Sequence, residues 1–226
     1  MLVRRRFAGL VVAGVVGLSV GACRERAGYG SLQDVPQSLD EDGVTIVVGN
    51  TAADVTVRLY EDPRCPYCAE FETTGGGPEL RTLVQRGSVQ VHYVLGSFLD
   101  DRLGGEGSKK AVNALRAVLE EGRFVEYHRA LYALQPRESV DGFTDSFLVD
   151  RASAALGWES ERFATAVRTM RYKAFVDASE QALESSAVSG TPAMEVNGKP
   201  LPARESDSIL YGRHFLTSYI RKVASS

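Results

Sequence analysis

The sequence predicts an α/β domain, and three observations predict it. Short β-branched segments stand on both sides of a long helical stretch. A Cys65-Pro66-Tyr67-Cys68 motif sits where one such strand feeds a helix. Far downstream, Asn197-Gly198 joins two further strands, a strong two-residue hairpin signal.

The 226 residues are 44% hydrophobic and 24% charged, with a formal net charge of −3. Those proportions support a packed core and exclude a disordered chain, a collagen and a multi-span membrane protein. The first 22 residues hold three Arg and no acid, so the remainder carries −6. A mildly acidic body argues against a general nucleic-acid binder, which needs a basic face. Three Cys are too few for a disulfide-stapled miniprotein, and the odd count requires a separate role for one of them.

The beginning reads as an address. Arg4, Arg5 and Arg6 precede an apolar run of 14 residues, Phe7 to Val20, which is short for a membrane span and suits a secretory signal. The run ends in Val20-Gly21-Ala22-Cys23, which resembles the lipobox of bacterial lipoproteins. That resemblance implies a signal peptide over 1–22 and a lipidated Cys23. The alternative is an ordinary signal peptide cut near Ala22. Arg4-Arg5-Arg6-Phe7 also faintly resembles a twin-arginine export signal, although plain secretory signals begin the same way. Residues 24–43 have no periodic apolar face and end in Asp40-Glu41-Asp42, so 23–43 is expected to be an anchor and flexible tether. The domain is then 44–226.

Val44–Val48 and Val55–Tyr60 read as strands, and Glu61-Asp62-Pro63-Arg64 as a turn. Helix follows from Pro66, broken by three Gly between Thr73 and Pro78 and resumed over Glu79–Gln85. Val89–Leu95 alternates as a strand. About 95 residues then separate Leu95 from Pro192, too many for a loop. Helical patterns fill them over 109–121, 124–134, 145–156, Ser160 towards Met170, and 173–186. Strands are expected over Ala193–Val196 and Lys199–Leu201, with a closing helix over Ser208–Val223.

The chemistry concentrates at the cysteine pair. Cys65 falls at a helix N-cap, and Pro66 at a first-turn position where its missing N–H is harmless. Unpaired N–H groups and the positive end of the helix dipole face the Cys65 sulfur and favour its thiolate. The i, i+3 spacing brings Cys68 onto the same face, one turn deeper, close enough for a small disulfide ring. Cys65 is therefore the expected attacking thiol and Cys68 the resolving thiol. Two plainer roles compete. Half a zinc site would need ligands from His92, His128 and His214, but no second CxxC or HxxxH is present. A purely structural i, i+3 bridge closes a tiny loop and gives little chain-entropy stabilisation.

Together, Asp62-Pro63-Arg64-Cys65-Pro66-Tyr67-Cys68 after a strand and Gly190-Thr191-Pro192 before a strand and Asn197-Gly198 resemble the DsbA-like branch of the thioredoxin fold, over roughly residues 40–224. The resemblance implies a thioredoxin-like fold with a large helical insertion, about 97–187, between the central strand and the cis-Pro strand. It implies a cis Pro192 against the CxxC, and Thr191 backbone groups that pair with an extended substrate. Pro66 and Tyr67 would tune and contact. The family's buried acid six positions before the first Cys is missing, because that position is Leu59. Glu61 is expected nearer the surface, and no relay is assigned. His128, on an apolar helix face, reads as a satisfied core histidine, and Asp100-Asp101-Arg102 as a solvated loop.

The activity implied is extracytoplasmic thiol–disulfide exchange through Cys65 and Cys68, in the oxidising direction, on thiols of exported proteins. It needs no cofactor and no metal. A membrane quinone-linked partner of the DsbB or VKOR type would reoxidise the dithiol. The alternatives are a reductase or isomerase of the same fold, and a non-catalytic binding lipoprotein.

Overall fold

The computed structural model describes residues 28–225, so the expected signal peptide and the lipidation site Cys23 lie outside the described residues. The chain builds a six-stranded sheet flanked by helices. Its strands are β1 (Gln37–Leu39), β2 (Ile46–Gly49), β3 (Val55–Glu61), β4 (Val89–Leu95), β5 (Ala193–Val196) and β6 (Lys199–Pro200). They lie in the order β1-β2-β4-β3-β5-β6. β3 and β4 run parallel, and every other pair is antiparallel.

The central strands are β-branched because both faces of the sheet are covered. Val55, Val57 and Leu59 on β3 and Val89, Val91 and Leu95 on β4 are at most 1% exposed. The tight β5–β6 turn needs positive φ at both corners, which Asn197 (49°) and Gly198 (73°) supply.

Between β3 and β4 lie α1 (Pro66–Thr73) and α2 (Gly77–Gln85). The glycines between them are required by close backbone contact. A Cβ at Gly75 would lie 2.6 Å from the Leu210 carbonyl oxygen, and one at Gly77 2.7 Å from Glu72 Cα.

The expected insertion is present between β4 and β5. It comprises α3 (Phe98–Leu103), α4 (Gly107–Leu119), α5 (Phe124–Ala133), α6 (Ala152–Ala154), α7 (Glu161–Arg168) and α8 (Lys173–Glu184). A wider π-type turn over Phe147–Arg151 leads into α6, so the helix expected over 145–156 is irregular. Ser160 caps α7, its hydroxyl accepting the Phe163 N–H. The buried face of α4 includes Ala111, Val112, Ala114, Leu115 and Val118.

Three expectations are corrected. Residues 37–39 are not tether: they pair with β2, and the Gln37 side chain donates to the Gly122 carbonyl at 2.8 Å. Their apolar signal is weak because a three-residue edge strand buries little. The closing helix is two helices, α9 (Ser206–Tyr211) and α10 (Phe215–Ala224), broken where His214 adopts a left-handed φ of 64°. Asp100 lies within α3 and is 3% exposed, held inside by Arg64, so it is no solvated loop residue.

Candidate active site: a thiol pair at the mouth of a helix

Cys65 is the N-cap of α1 and Pro66 its first residue, as the motif demands. Cys65 is 6% exposed and Cys68 fully buried, and both are free thiols. Tyr67 projects between them at 61% exposure. The loop before them is fixed from the insertion side. Arg64 donates to Asp100 at 2.7 Å, to the Gly104 carbonyl at 2.8 Å and to the Glu138 carbonyl at 3.0 Å. Asp62 accepts from the Ser108 hydroxyl at 2.6 Å and the Leu99 N–H at 3.0 Å. Gln135 donates to the Pro63 and Cys65 carbonyls. The catalytic-type turn is thus bolted to α3, α4 and the loop after α5.

From the other side comes Thr191-Pro192, whose peptide bond is cis. The Cys65 thiol donates to the Thr191 carbonyl at 3.2 Å. Thr191 and Pro192 also line a groove of about 450 Å³ with Met194, Leu210 and Tyr211. The structure therefore brings Cys65, Cys68, Thr191 and Pro192 together, with Pro66 and Tyr67 exposed at the rim.

The two thiols are electrostatically unlike. The Cys68 thiol, the Thr191 side chain and the N–H groups of Cys68 and Tyr67 hold Cys65 down to about 6, against the effect of burial. Burial, then Cys65 and Glu61, pushes Cys68 well above the ordinary thiol range. Near neutral pH this arrangement holds one nearly buried thiolate above one fully buried thiol.

Beneath the pair lies a polar cluster, and here one expectation fails. Glu61 is fully buried, not near the surface. On β3 it continues the row of Val55, Val57 and Leu59, which all face the core. Its Oε2 lies 2.8 Å from His128 Nε2, and Oε1 has no partner. His128 Nδ1 lies 3.9 Å from Glu72 Oε2, and Glu72 is paired with Arg81. Burial, reinforced by Cys65, raises Glu61 well above the usual carboxylate range. Burial also raises Glu72 and depresses His128 to about 4. His128 is the satisfied core histidine expected of it. Ligand-type atoms of Glu61, Glu72 and His128 lie within 4.8 Å of one another. Arg81 and the Glu61–His128 bond already engage them, and among the described residues this cluster includes neither cysteine.

Both missed carboxylates were signalled. Glu61 is in phase with Leu59 on a strand, and Glu72 is four residues after Cys68 on a helix, hence on its face.

A βαβ frame with a dithiol at a helix N-terminus and a cis-proline loop beside it defines a thioredoxin-type protein. Residues 41–210 match the thioredoxin family model, and the chain belongs to that family. It is 24% identical over 155 residues to disulfide bond formation protein D of Bacillus subtilis, covering 68% of each chain. It is 32% identical over 166 residues to a Na(+)/H(+) antiporter, NhaA 3, of Salinispora tropica, but that match spans only 23% of the antiporter. Among solved structures, oxidised DsbA of Mycobacterium tuberculosis superposes with a TM-score of 0.63 at 24% identity, covering 85% of this chain and 94% of that one. MdbA of Corynebacterium diphtheriae, a thiol-disulfide oxidoreductase, superposes with 0.64 at 22%, covering 80% and 94%. Fold and helical insertion are those of the DsbA-like structures. No helix among the described residues is long and apolar enough to cross a membrane.

Proposed function

We propose that the chain is an exported, lipid-anchored thiol–disulfide oxidoreductase that oxidises thiols of exported proteins. In this reading Cys23 carries the lipid, and Cys65 and Cys68 carry the chemistry. A substrate thiolate attacks Cys65 of the Cys65–Cys68 disulfide, and that bond breaks towards Cys68. A second substrate thiolate then attacks the mixed disulfide at the substrate sulfur. The substrate leaves oxidised and the enzyme leaves as a dithiol. A membrane quinone-linked partner of the DsbB or VKOR type reoxidises it. Thr191 aligns an extended substrate through its backbone, and the groove beside Pro192 accepts the adjoining side chains.

The observation that carries this reading is the opposed ionisation of the two thiols. A stabilised Cys65 thiolate favours the dithiol over the disulfide, which makes the disulfide an oxidant. It also leaves a non-catalytic scaffold without a reason for the arrangement. One observation favours a reductase or isomerase: a Cys65 pKa of about 6 lies nearer thioredoxin's value of about 7 than DsbA's of about 3.5. The test is to mix the oxidised chain with a reduced, unfolded disulfide protein. Disulfides should appear in the substrate as Cys65 and Cys68 become reduced, and Cys65→Ser should transfer none. Failure to oxidise, together with catalytic reduction of insulin, would replace the oxidase reading with the reductase.

A further inference from the structure

We propose that the end of the sheet opposite the thiols rests on anionic lipid headgroups, with the Cys65 rim held away from the bilayer. The proposal rests on the lipid anchor read at Cys23, and adds which face of the domain meets the membrane and where the site then points.

Residues 28–30 pin the chain to that end. The Tyr29 N–H donates to the Gln85 carbonyl at 2.7 Å, and the Gln85 side chain donates back to the Tyr29 and Gly30 carbonyls at 3.2 and 3.3 Å. Gly28 fits because it has no Cβ, which would lie 2.9 Å from the Gln85 carbonyl oxygen. Gln85 closes α2 just before Val89 opens β4. β3 and β4 run parallel and both finish towards the thiols, since Glu61 pairs with Leu95 and Cys65 follows four residues on. Tyr29 is therefore fastened at the far end. Strands of seven residues put about 20 Å between the two ends, at about 3.3 Å per step. Cys23 is five residues before Gly28, and five residues span at most about 18 Å. A lipid at Cys23 therefore keeps the far end close to the bilayer.

Charge then decides which way up the domain stands. Arg86, exposed, follows Gln85. Lys199, also exposed, follows the Asn197-Gly198 turn, which lies at the same end because the Asn197 N–H donates to the Thr56 carbonyl at 2.8 Å. α10 starts beside the first turn of α2, where Glu79 accepts from the His214 and Thr217 N–H groups. It packs along α2 and β3, so its last turn brings exposed Arg221 and Lys222 to that end. Arg24 and Arg26, against Glu25, lie in the link itself. The acids nearest these cations in the fold are Asp54 before β3, and Glu120 and Glu121 after α4, which Arg116 and Arg162 already meet. The thiol end is opposite in sign. Its Asp40-Glu41-Asp42 turn lies between Leu39 and Ile46, and Ile46 pairs with Tyr93 near the end of β4. Anionic headgroups attract a basic face across about a Debye length, about 8 Å at physiological salt, and the short link keeps the face near. The Cys65 rim then points outward, towards chains in transit. A membrane-bound reoxidant must meet it a strand's length above the headgroups.

The test places the protein, isolated from membranes, in vesicles of phosphatidylcholine and phosphatidylglycerol that carry a nitroxide headgroup, a contact quencher. A mass spectrum of the amino-terminal peptide first reads the lipid. None at Cys23 would overturn the anchor, and this orientation with it. With the lipid present, two dyes are compared. One is attached to Cys65 of the reduced protein. The other is attached through Thr51→Cys while Cys65 and Cys68 are held in their disulfide. Thr51 is exposed and follows Gly49, which pairs with Gln90 at the far end. The nitroxide should cut emission at position 51 severalfold and leave that at Cys65 nearly unchanged. Equal quenching, or stronger quenching at Cys65, overturns the orientation while the anchor stands. The contrast should shrink in phosphatidylcholine alone, and at about 1 M salt, where the Debye length falls to about 3 Å. It should shrink as much when Arg86→Glu, Lys199→Glu, Arg221→Glu and Lys222→Glu are combined, with reduction by dithiothreitol at the wild-type rate showing that this variant folds. A contrast that survives neutral lipid, salt and charge reversal removes the four cations as its cause and overturns the proposed contact.

Discussion

Cys65 and Thr191 are 126 residues apart in the chain, yet the Cys65 thiol donates to the Thr191 carbonyl across 3.2 Å. The contact exists because β3 and β5 are neighbours, with Tyr60 opposite Ala193. The strand that launches the CxxC and the strand that follows the proline loop therefore end at one place. On ionisation the carbonyl loses its donor, while the Cys68 thiol and the N–H groups of Cys68 and Tyr67 still favour the charged sulfur, and the Thr191 hydroxyl, unpartnered beside the resting thiol, is left to donate to it. Those groups outweigh both the carbonyl and burial.

The Cys65 thiol should titrate near pH 6. Alkylation of the reduced protein by iodoacetamide should rise through that pH and level off above it. A midpoint near pH 8.5, the ordinary free-cysteine value, would mean that the helix end and the Thr191 loop do not act on the sulfur.

Thr191→Val removes a hydroxyl from the Cys65 environment while keeping the shape. The midpoint of that alkylation curve should move upwards, because one of the groups that lower the Cys65 pKa is the Thr191 side chain. The same variant should make the disulfide a weaker oxidant in the glutathione equilibrium.

Stability of the reduced protein should depend on pH through Cys65. Its folded pKa lies below its unfolded one, so its contribution is present above the unfolded pKa and is lost as pH falls through about 6. Between pH 5 and pH 7 the reduced protein should gain about 1 kcal/mol relative to a reduced Cys65→Ser variant, measured by denaturant unfolding. The variant corrects for Glu61 and Glu72. Burial raises both of them, so their contribution has the opposite sign and is lost as pH rises.

Arg64 and Asp100 form an ion pair with side chains 3% and 0% exposed. Arg64→Met leaves the buried Asp100 carboxylate with only the Ser108 and Lys109 N–H groups and no counter-charge, and should cost about 3 kcal/mol in denaturant unfolding. The Arg64→Met, Asp100→Leu double variant should recover only part of that loss, because the Ser108 and Lys109 N–H groups then lose their acceptor. The Cys65 loop depends on the same pair, so Arg64→Met should also blunt exchange activity.

The sheet and the thiol pair were legible because their signals are local. Val55–Tyr60, Val89–Leu95 and Ala193–Val196 alternate or run β-branched, and each is a strand over those residues or one more. Cys65 to Cys68 occupies a strand-to-helix junction that its own Pro marks. What escaped was set by partners far along the chain. Asp100 looks solvated beside Asp101 and Arg102 until Arg64 draws it inside. Glu61 looks like a surface acid until its phase on β3 is followed one residue past Tyr60, to where His128 meets it from α5. Charged residues read as exposed by default, and only a distant counterpart reverses that.

The most direct test of the account is a glutathione redox titration of the Cys65–Cys68 pair. A Cys65 pKa one unit below thioredoxin's favours the dithiol by about 1 kcal/mol at pH 7, roughly 20 mV. The account predicts a potential less negative than thioredoxin's, between about −270 mV and DsbA's −120 mV. A potential at or below about −270 mV would contradict it and make the protein a reductant.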